Sequence, residues 1–249
     1  MGLPTSRDLH LVALNCAVNK NSETPHMTAK EDLVRMYPDR FEGIGHFKGT
    51  FHITVDPSVP PVVHAPRRCP IHLRDELKKE LDGMVKSGVI TKVTEPTDWV
   101  SSLAYSRKSN GKLRVCLDPK DLNEAIKRPH YKTPTLEEIT HKFAGATTFS
   151  KLDARHGYWS IELDSELSCL TTFNNPFGRF CFQRLPFGLN VSQDEFQECM
   201  DNILEQCPGT TGIADDVAVF GKDQADHDVN LHNVMRVAQE SGLVFNPAR

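Results

Sequence analysis

The sequence predicts an α+β fold in which antiparallel strands are mixed with helices. Short apolar runs separated by turn residues fill much of the chain after residue 88. Longer segments repeat apolar residues at helical spacing. The two kinds of segment do not alternate regularly, which argues against the order typical of a parallel sheet. With 39% hydrophobic and 25% charged residues, the 249-residue chain can bury a core.

Helices are predicted from apolar periodicity and from end signals. One helix carries its apolar face on Ile71, Leu77, Leu81, Met84 and Val85, and Gly88 ends it. A short helix follows Thr133-Pro134 and extends through Phe143. The clearest helix begins at a capping box, Ser192-Gln-Asp-Glu195, and has one apolar face, formed by Phe196, Cys199, Met200, Ile203, Leu204 and Cys207. The last helix covers about residues 223–241 and ends at Gly242.

Strands are predicted over residues 89–93, 100–106, 112–118, 147–153, 159–163, 169–174, 179–185, 210–214, 217–221 and 243–245. Asn110-Gly111 is a strong hairpin signal between the second and third of these. Residues 175–178 indicate another hairpin. Residues 1–61 contain six prolines and little periodicity, so we expect a lead-in with little core of its own.

Several classes of protein are excluded or disfavoured. No apolar run approaches the roughly 18 residues needed to span a bilayer, and the first 20 residues do not resemble a signal peptide. The seven cysteines are scattered without C-x-x-C spacing, which disfavours a disulfide framework and a zinc site. We therefore expect an intracellular protein with reduced thiols.

Charge is distributed unevenly along the chain. Residues 62–133 hold 15 Lys and Arg against 9 Asp and Glu, whereas residues 134–249 hold 8 against 17. A basic region beside an acidic one fits a polyanion-binding surface next to a carboxylate site that holds cations. On charge alone, two solvated faces are the simpler interpretation.

Three carboxylates are the main candidates for chemistry. Asp215 and Asp216 lie between two apolar strands, and Asp153 ends a third. If these strands are neighbours, the carboxylates converge at one edge as a site for Mg²⁺ and substrate phosphates, which suits phosphoryl transfer. The alternative is three solvated turn aspartates, because Asp is common in turns.

Other candidates surround these carboxylates in the sequence. Four cations, Arg107, Lys108, Lys112 and Arg114, flank the Asn110-Gly111 turn as a phosphate clamp or simply a solubilising tip. The segment 185–189 (Leu-Pro-Phe-Gly-Leu) places an aromatic and a flexible glycine before a helix, either for close approach of a ligand or as an ordinary corner. Tyr158-Trp159 is either core or a ring wall beside the metal site. His156 is interpreted as an ordinary turn histidine.

The order of these motifs resembles that of a known family. The chain resembles the reverse transcriptase of gypsy-type LTR retrotransposons (Metaviridae) from about residue 37 to residue 246. The resemblance is carried by Tyr37-Pro-Asp-Arg-Phe41, Ile90, the segment 106–118, Leu122-Asn123, the segment 149–158 (Phe-Ser-Lys-Leu-Asp-Ala-Arg-His-Gly-Tyr), Thr171-Thr-Phe173, the segment 185–189, Phe196-Gln197 and Ile213-Ala-Asp-Asp216.

The resemblance implies a right-hand polymerase that copies RNA into DNA by two-metal-ion chemistry. Residues 62–133 would form the fingers and residues 134–249 the palm, with an antiparallel sheet and packed helices. Asp153, Asp215 and Asp216 would be catalytic metal ligands, together with the main chain of Ala154. The ion would be Mg²⁺, with Mn²⁺ as a substitute.

The same resemblance implies the substrates and their contacts. The partners would be an RNA or DNA template with its primer, and dNTPs. Arg107 and Arg114 match the residues that grip the triphosphate, and Lys112 is a further phosphate candidate. Tyr158 matches the steric gate against the ribose 2′-OH. Phe187 matches the position that lines the sugar and base.

The chain also departs from the family pattern. Ile213 stands where Tyr is common, His156 replaces a small residue, and residues 191–194 (Val-Ser-Gln-Asp) replace Asn-Ala-Pro-Ala. We expect the chain to end before the thumb and to lack RNase H and integrase regions. Residues 1–18 resemble the tail of a retropepsin-like protease. An inactive retrotransposon remnant with residual nucleic-acid binding is therefore the alternative. A cytoplasmic particle and the nucleus are equally compatible locations.

Overall fold

The computed structural model describes residues 30–107, 111 and 113–247. The predictions for residues 1–18, Lys108, Asn110 and Lys112 lie outside this range. The helices are α1 (Lys30–Met36), α2 (Arg74–Lys86), α3 (Lys120–Ala125), α4 (Leu136–Thr140), α5 (Ser165–Leu170), α6 (Ser192–Leu204) and α7 (Gln224–Ser241). Short 3₁₀ helices lie at Pro38–Arg40, Ile71–Leu73, His141–Phe143 and Gly157–Ser160.

The strands are β1 (Thr50–Phe51), β2 (Ile90–Val93), β3 (Ser102–Arg107), β4 (Leu113–Asp118), β5 (Thr148–Asp153), β6 (Glu162–Leu163), β7 (Phe173–Asn175), β8 (Gly178–Phe182), β9 (Thr210–Ile213) and β10 (Asp216–Gly221). Most pairs are antiparallel, and helices are interspersed without regular alternation. The predicted α+β class is therefore confirmed. Among the helices of the described residues, none is long and apolar enough to cross a membrane.

The central sheet has the strand order β5-β10-β9 and is antiparallel throughout. β10 alternates strictly, so that Val217 and Val219 are fully buried. Helices α6 and α7 cover the sheet with apolar faces that include Phe196, Met200 and Met235, all fully buried. This arrangement fixes the ends of β5 and β10, where the predicted carboxylates lie.

A second sheet has the order β2-β8-β7, and β3 and β4 form a separate hairpin. Helix α2 packs against β2 and β4 through Leu77, Leu81 and Met84. Strand β8 belongs to the predicted palm segment but pairs with β2 of the predicted fingers segment. Strand pairing therefore crosses the boundary proposed at residues 133 and 134.

The described part of the lead-in is packed into the same core as the rest. Leu33, Phe41, Phe47 and Ile53 are each at most 6% exposed, and β1 pairs in parallel with β6. Gly242 accommodates this segment, since a Cβ there would collide with the carbonyl oxygen of His46. Residues from Leu33 onward are therefore part of the globular unit.

Several local predictions are wrong. Helix α6 has no side-chain cap, because the Ser192 hydroxyl donates to the Pro186 carbonyl oxygen at 2.7 Å instead. A capping box forms at Thr135 and Glu138. Residues 159–163 are mainly a 3₁₀ turn before the two-residue β6, and α5 replaces the start of the strand predicted at 169–174. Ile71 is 83% exposed and leaves the predicted helical face.

Candidate active site

The central sheet brings the predicted carboxylates to one edge. Asp153 ends β5 and Asp216 begins β10, and the two residues are direct partners in the antiparallel ladder. Direct partners share a face of the sheet with their Cβ atoms about 5 Å apart. Asp215 precedes this pair in the β9–β10 turn, and its carbonyl oxygen accepts from the Ala154 amide at 2.7 Å. The backbone positions of Asp153, Ala154, Asp215 and Asp216 thus lie together at one edge of the sheet.

The two-residue turn is Ala214-Asp215, not Asp215-Asp216 as predicted, because Ile213 pairs with Asp216. Ala214 has φ +52°, an uncommon value for a residue with a Cβ. The fully buried Gln197 of α6 holds the turn, since its Oε1 accepts from the Ala214 amide at 2.9 Å. Its Nε2 donates to Asp201 Oδ1 at 2.9 Å. Gln197 is therefore a positioning residue whose role the sequence analysis missed. A polar residue on an apolar helix face was the available signal.

The carboxylates differ in their surroundings. Asp153 is buried, and Asn246 Nδ2 donates to its Oδ1 at 3.2 Å. Asp216 is exposed, and its Oδ2 lies 2.8 Å from Lys151 Nζ. Among the described residues, no group of three His, Cys, Asp or Glu side chains is arranged as a metal cluster. The fold thus brings Asp153, Asp215 and Asp216 to one edge of the sheet, while the Asp216 carboxylate lies against the ammonium group of Lys151.

Gly157 lies against the Asp215 side chain. A Cβ at this position would be 2.5 Å from Asp215 Oδ1 and 2.8 Å from Phe196 Cζ. Only glycine fits here without displacing one of these groups. Gly157 therefore lets the 3₁₀ turn after β5 pack closely beside the β9–β10 turn.

An aromatic wall stands beside the carboxylates. The Tyr158 ring lies 4.5 Å from Phe187 and 5.5 Å from Phe196, centroid to centroid. The Tyr158 hydroxyl donates to Gln193 Oε1 at 2.6 Å. Burial, and secondarily the negative charge of Asp215, raise the pKa of the Tyr158 phenol. Phe187 is 45% exposed, so the wall presents an apolar surface to solvent next to the acidic edge.

The loop that carries Phe187 is held from the side of β4 and α3. Asn123 Nδ2 donates to the Gly188 carbonyl oxygen at 2.9 Å, and Asn123 Oδ1 accepts from the Asn190 amide at 2.9 Å. Gly188 has φ +112°, and a Cβ there would collide with the Leu117 carbonyl oxygen. The flexible glycine predicted in this segment is thus required by the close approach of β4.

The register of the basic hairpin separates its two arginines. Arg107 pairs with Leu113 and Ser106 with Arg114, so five residues separate the last described pair. A two-residue turn at Asn110-Gly111, continued by regular pairs, requires an even number. The observed register puts Arg107 and Arg114 on opposite faces of the hairpin. Both guanidinium groups cannot therefore approach one phosphate from the same face.

Arg107 is engaged with α2. Its guanidinium nitrogens lie 3.3 and 3.2 Å from the two carboxylate oxygens of Glu76, and Glu76 Oε1 also accepts from the Leu113 amide at 2.9 Å. Arg114 is exposed on the other face. A phosphate-gripping role for Arg107 requires the Glu76 contacts to open, whereas Arg114 points away from α2.

His156 occupies the turn after the carboxylate of β5. It has φ +53°, and its ring stacks on Trp159 at 5.1 Å. This is the position of a turn residue with an aromatic neighbour, in keeping with the interpretation of His156 as a turn histidine.

Comparison with known proteins identifies this arrangement. Residues 106–249 match the family model described as reverse transcriptase (RNA-dependent DNA polymerase). The chain belongs to the reverse transcriptase family. The matched residues include the carboxylates, the aromatic wall and both helices that cover the central sheet.

The relatives of this chain are much longer proteins. An uncharacterized protein of Caenorhabditis elegans is 29% identical over 89% of this chain and 18% of its own length. The retrovirus-related Pol polyprotein from transposon 297 of Drosophila melanogaster is 27% identical over 68% of this chain and 16% of its own length. The chain therefore spans less than a fifth of either relative.

Solved structures confirm the predicted fingers-and-palm fold. The protease-reverse transcriptase of prototype foamy virus has a TM-score of 0.79 at 20% identity, covering 87% of this chain and 30% of that protein. The foamy viral enzyme in complex with an RNA/DNA hybrid gives a TM-score of 0.75 at 18% identity, covering 88% and 30%. At this identity the likeness concerns the fold.

Reverse transcriptases use divalent metal ions, and the donor atoms at this edge fit such an ion in kind. Carboxylates and a main-chain carbonyl are the hard oxygen ligands that Mg²⁺ prefers. Asp153 and Asp215 lie beside the main chain of Ala154, and Asp216 lies opposite Asp153. Asp216 also forms an exposed ion pair with Lys151 through its Oδ2, which leaves Oδ1 as a further donor atom.

Proposed function

We propose that this chain is the fingers-and-palm part of an RNA-directed DNA polymerase that adds dNTPs to a primer 3′-OH. The observation that carries the proposal is the direct pairing of Asp153 with Asp216 beside the Asp215 turn, in a chain of the reverse transcriptase family. The departures at Ile213, His156 and residues 191–194 leave Asp153 and Asp216 paired, so we prefer the polymerase to the inactive-remnant alternative.

The carboxylate residues are assigned the metal ions in this proposal. Asp153, Asp215, Asp216 and the Ala154 main chain would hold Mg²⁺, or Mn²⁺ in its place. When bound, the ions would assist attack of the primer hydroxyl and stabilise the departing pyrophosphate. Gln197 and Gly157 keep the Asp215 turn in position. They would contribute by orienting Asp215, because a reaction is faster when its reacting groups are already held in position.

Nucleotide recognition is assigned to the wall and the hairpin. Tyr158 would exclude a ribose 2′-OH, and Phe187 would line the sugar and base. Arg114 is the favoured triphosphate contact, because Arg107 is occupied by Glu76. Lys112 remains a phosphate candidate from its sequence position. The charge distribution supports a phosphate contact from the hairpin, since basic residues concentrate in residues 62–133 and acidic residues in 134–249.

Finer assignments are also part of this proposal. The gypsy-type subfamily is supported by the order of motifs and by a transposon Pol relative. We assign residues 62–133 together with the β7–β8 hairpin to the fingers, because β8 pairs with β2. The template is RNA or DNA with an annealed primer; the foamy viral relative in complex with an RNA/DNA hybrid supports this choice. An intracellular location is proposed from the scattered spacing of the seven cysteines in the sequence.

The experiment is primer extension on an RNA template with Mg²⁺, comparing the chain with Asp215→Asn. We expect the variant to lose extension by at least a hundredfold, because a metal ion contributes several kcal/mol to the transition state. Asp82→Asn is the matched control, since it removes one exposed carboxylate from α2. Extension by Asp215→Asn at the parent rate would refute the assignment of the active site.

A further inference from the structure

The first turn of α6 makes a contact to the aromatic wall that involves Gln193. The Tyr158 hydroxyl donates to Gln193 Oε1 at 2.6 Å, and both side chains are only partly exposed. This short contact joins a residue of the turn after β5 to a residue thirty-five positions later. Within the described residues, this hydrogen bond is the polar contact of the Tyr158 hydroxyl group.

The backbone that carries Gln193 is fixed on both sides. Ser192 Oγ donates to the Pro186 carbonyl oxygen at 2.7 Å. Asp194 accepts from Arg128 Nε at 2.6 Å and from Arg128 Nη2 at 2.8 Å, with its own side chain 2% exposed. The side chain of Gln193 therefore extends from an anchored helix start.

Two aromatic rings contact the Tyr158 ring. Phe187 and Phe196 limit how far the ring can shift, but neither can hydrogen-bond to its hydroxyl group. A hydrogen bond at the hydroxyl restricts the swing of the ring toward or away from the neighbouring space. The Tyr158 ring can exclude a ribonucleotide only if the ring stays in place when the 2′-OH presses against it.

We propose that Gln193 is a positioning residue for sugar selection, holding the Tyr158 ring in the place where it excludes ribonucleotides. The inference rests on the proposed function and deepens it. Gln193 lies in the segment 191–194, which departs from the commoner Asn-Ala-Pro-Ala pattern. A proline at this position offers no side-chain acceptor, so the contact is a property of this chain.

The test uses nucleotide binding, so that it does not depend on turnover. The full chain is bound to a primer–template with a 3′-dideoxy end, and the dissociation constants of dGTP and GTP are measured with Mg²⁺. We expect Gln193→Leu and Tyr158→Phe each to lower the preference for dGTP by about three- to tenfold, the range that one hydrogen bond supports. Tyr158→Val sets the upper limit of the loss.

Coupling and rescue separate positioning from general stability. The double variant Gln193→Leu/Tyr158→Phe should lose no more preference than either single variant, because both remove the same contact. Gln193→Glu keeps an acceptor and should retain the preference. Gln239→Leu, on the exposed side of α7, is the matched control and should change nothing.

Each outcome has a consequence. If the parent prefers dGTP and Gln193→Leu keeps the same preference, the inference is overturned, even if both nucleotides bind more weakly. A purely structural role would give that result together with a lower melting temperature. If the folded parent binds neither nucleotide, the proposed function itself fails and the inference fails with it.

Discussion

At the scale of single residues, Gly157 has the least free space beside the carboxylates. We predict that Gly157→Ala lowers primer extension at least tenfold, because the new methyl group must displace Asp215 Oδ1 or the Phe196 ring. Overpacking of this kind costs about 1–3 kcal/mol in stability. Steady-state extension and the urea midpoint measure the two effects separately.

Gly83→Ala is the matched control for this substitution. Gly83 lies within α2, and nothing lies within 4 Å of a Cβ built there. Alanine should stabilise the helix by about 0.5–1 kcal/mol and leave extension unchanged. Parental extension by Gly157→Ala would mean that Asp215 tolerates displacement and is not the positioned ligand proposed.

The sequence predicts single residues well where strand ends determine them. Asp153, Asp215 and Asp216 follow or precede apolar runs, so their meeting needs only that β5 and β10 are neighbours. Gln197 and Gly157 were not assigned roles, because those roles depend on packing between α6 and two turns. Arg107 and Arg114 show the limit most clearly, since a shift of one residue in register moves a side chain to the other face.

At the scale of elements, the segment after α3 is fastened to α6 by one ion pair. Arg128 makes two hydrogen bonds to the buried carboxylate of Asp194. We predict that Arg128→Ala lowers the free energy of unfolding at pH 7 by more than the loss of an exposed ion pair does, because it leaves the Asp194 carboxylate without its cation. Urea denaturation followed by circular dichroism measures the loss.

The same pair predicts a pH dependence with a definite sign. Hydrogen bonds from Arg128 hold the pKa of Asp194 below its ordinary value. The stabilisation is therefore complete above the unfolded pKa of about 3.9 and is lost as the pH falls through the lower folded pKa. The gap between parent and Arg128→Ala should narrow from pH 7 to pH 3. Arg236→Ala is the control, because it breaks an exposed ion pair with Glu240 and should cost less than about 1 kcal/mol at pH 7. If the difference in free energy of unfolding between the parent and Arg128→Ala does not change with pH, the ion pair is not the source of the stabilisation.

Long periodic elements agree with their sequence predictions better than short ones. Helix α7 begins after Asp223 and ends at Gly242, as its cap residues indicate. Residues 159–163 and the start of the strand predicted at 169–174 did not follow their strand patterns, because apolar runs this short fit a turn, a helix or a strand. Packing against the rest of the fold decides their conformation, and the local sequence does not encode that packing.

At the scale of the whole molecule, the two sequence segments called fingers and palm are not independent units. We predict that a fragment of residues 62–133 will not unfold cooperatively in urea, whereas the full chain will. The fragment leaves β2 without its partner β8 and exposes a strand edge. A cooperative transition in the fragment, with an m-value appropriate to its size, would show that the boundary at residue 133 is sufficient.

The pairing of β2 with β8 also has a consequence during synthesis. Ile90 pairs with Phe182, about 90 positions later in the chain. At translation rates of about 5–20 residues per second, β2 leaves the ribosome roughly 5–18 s before its partner. During that interval the edge of β2 is open to pairing with other nascent chains. The separation of β2 from β8 along the chain therefore adds several seconds in which an unpaired strand edge is available for aggregation.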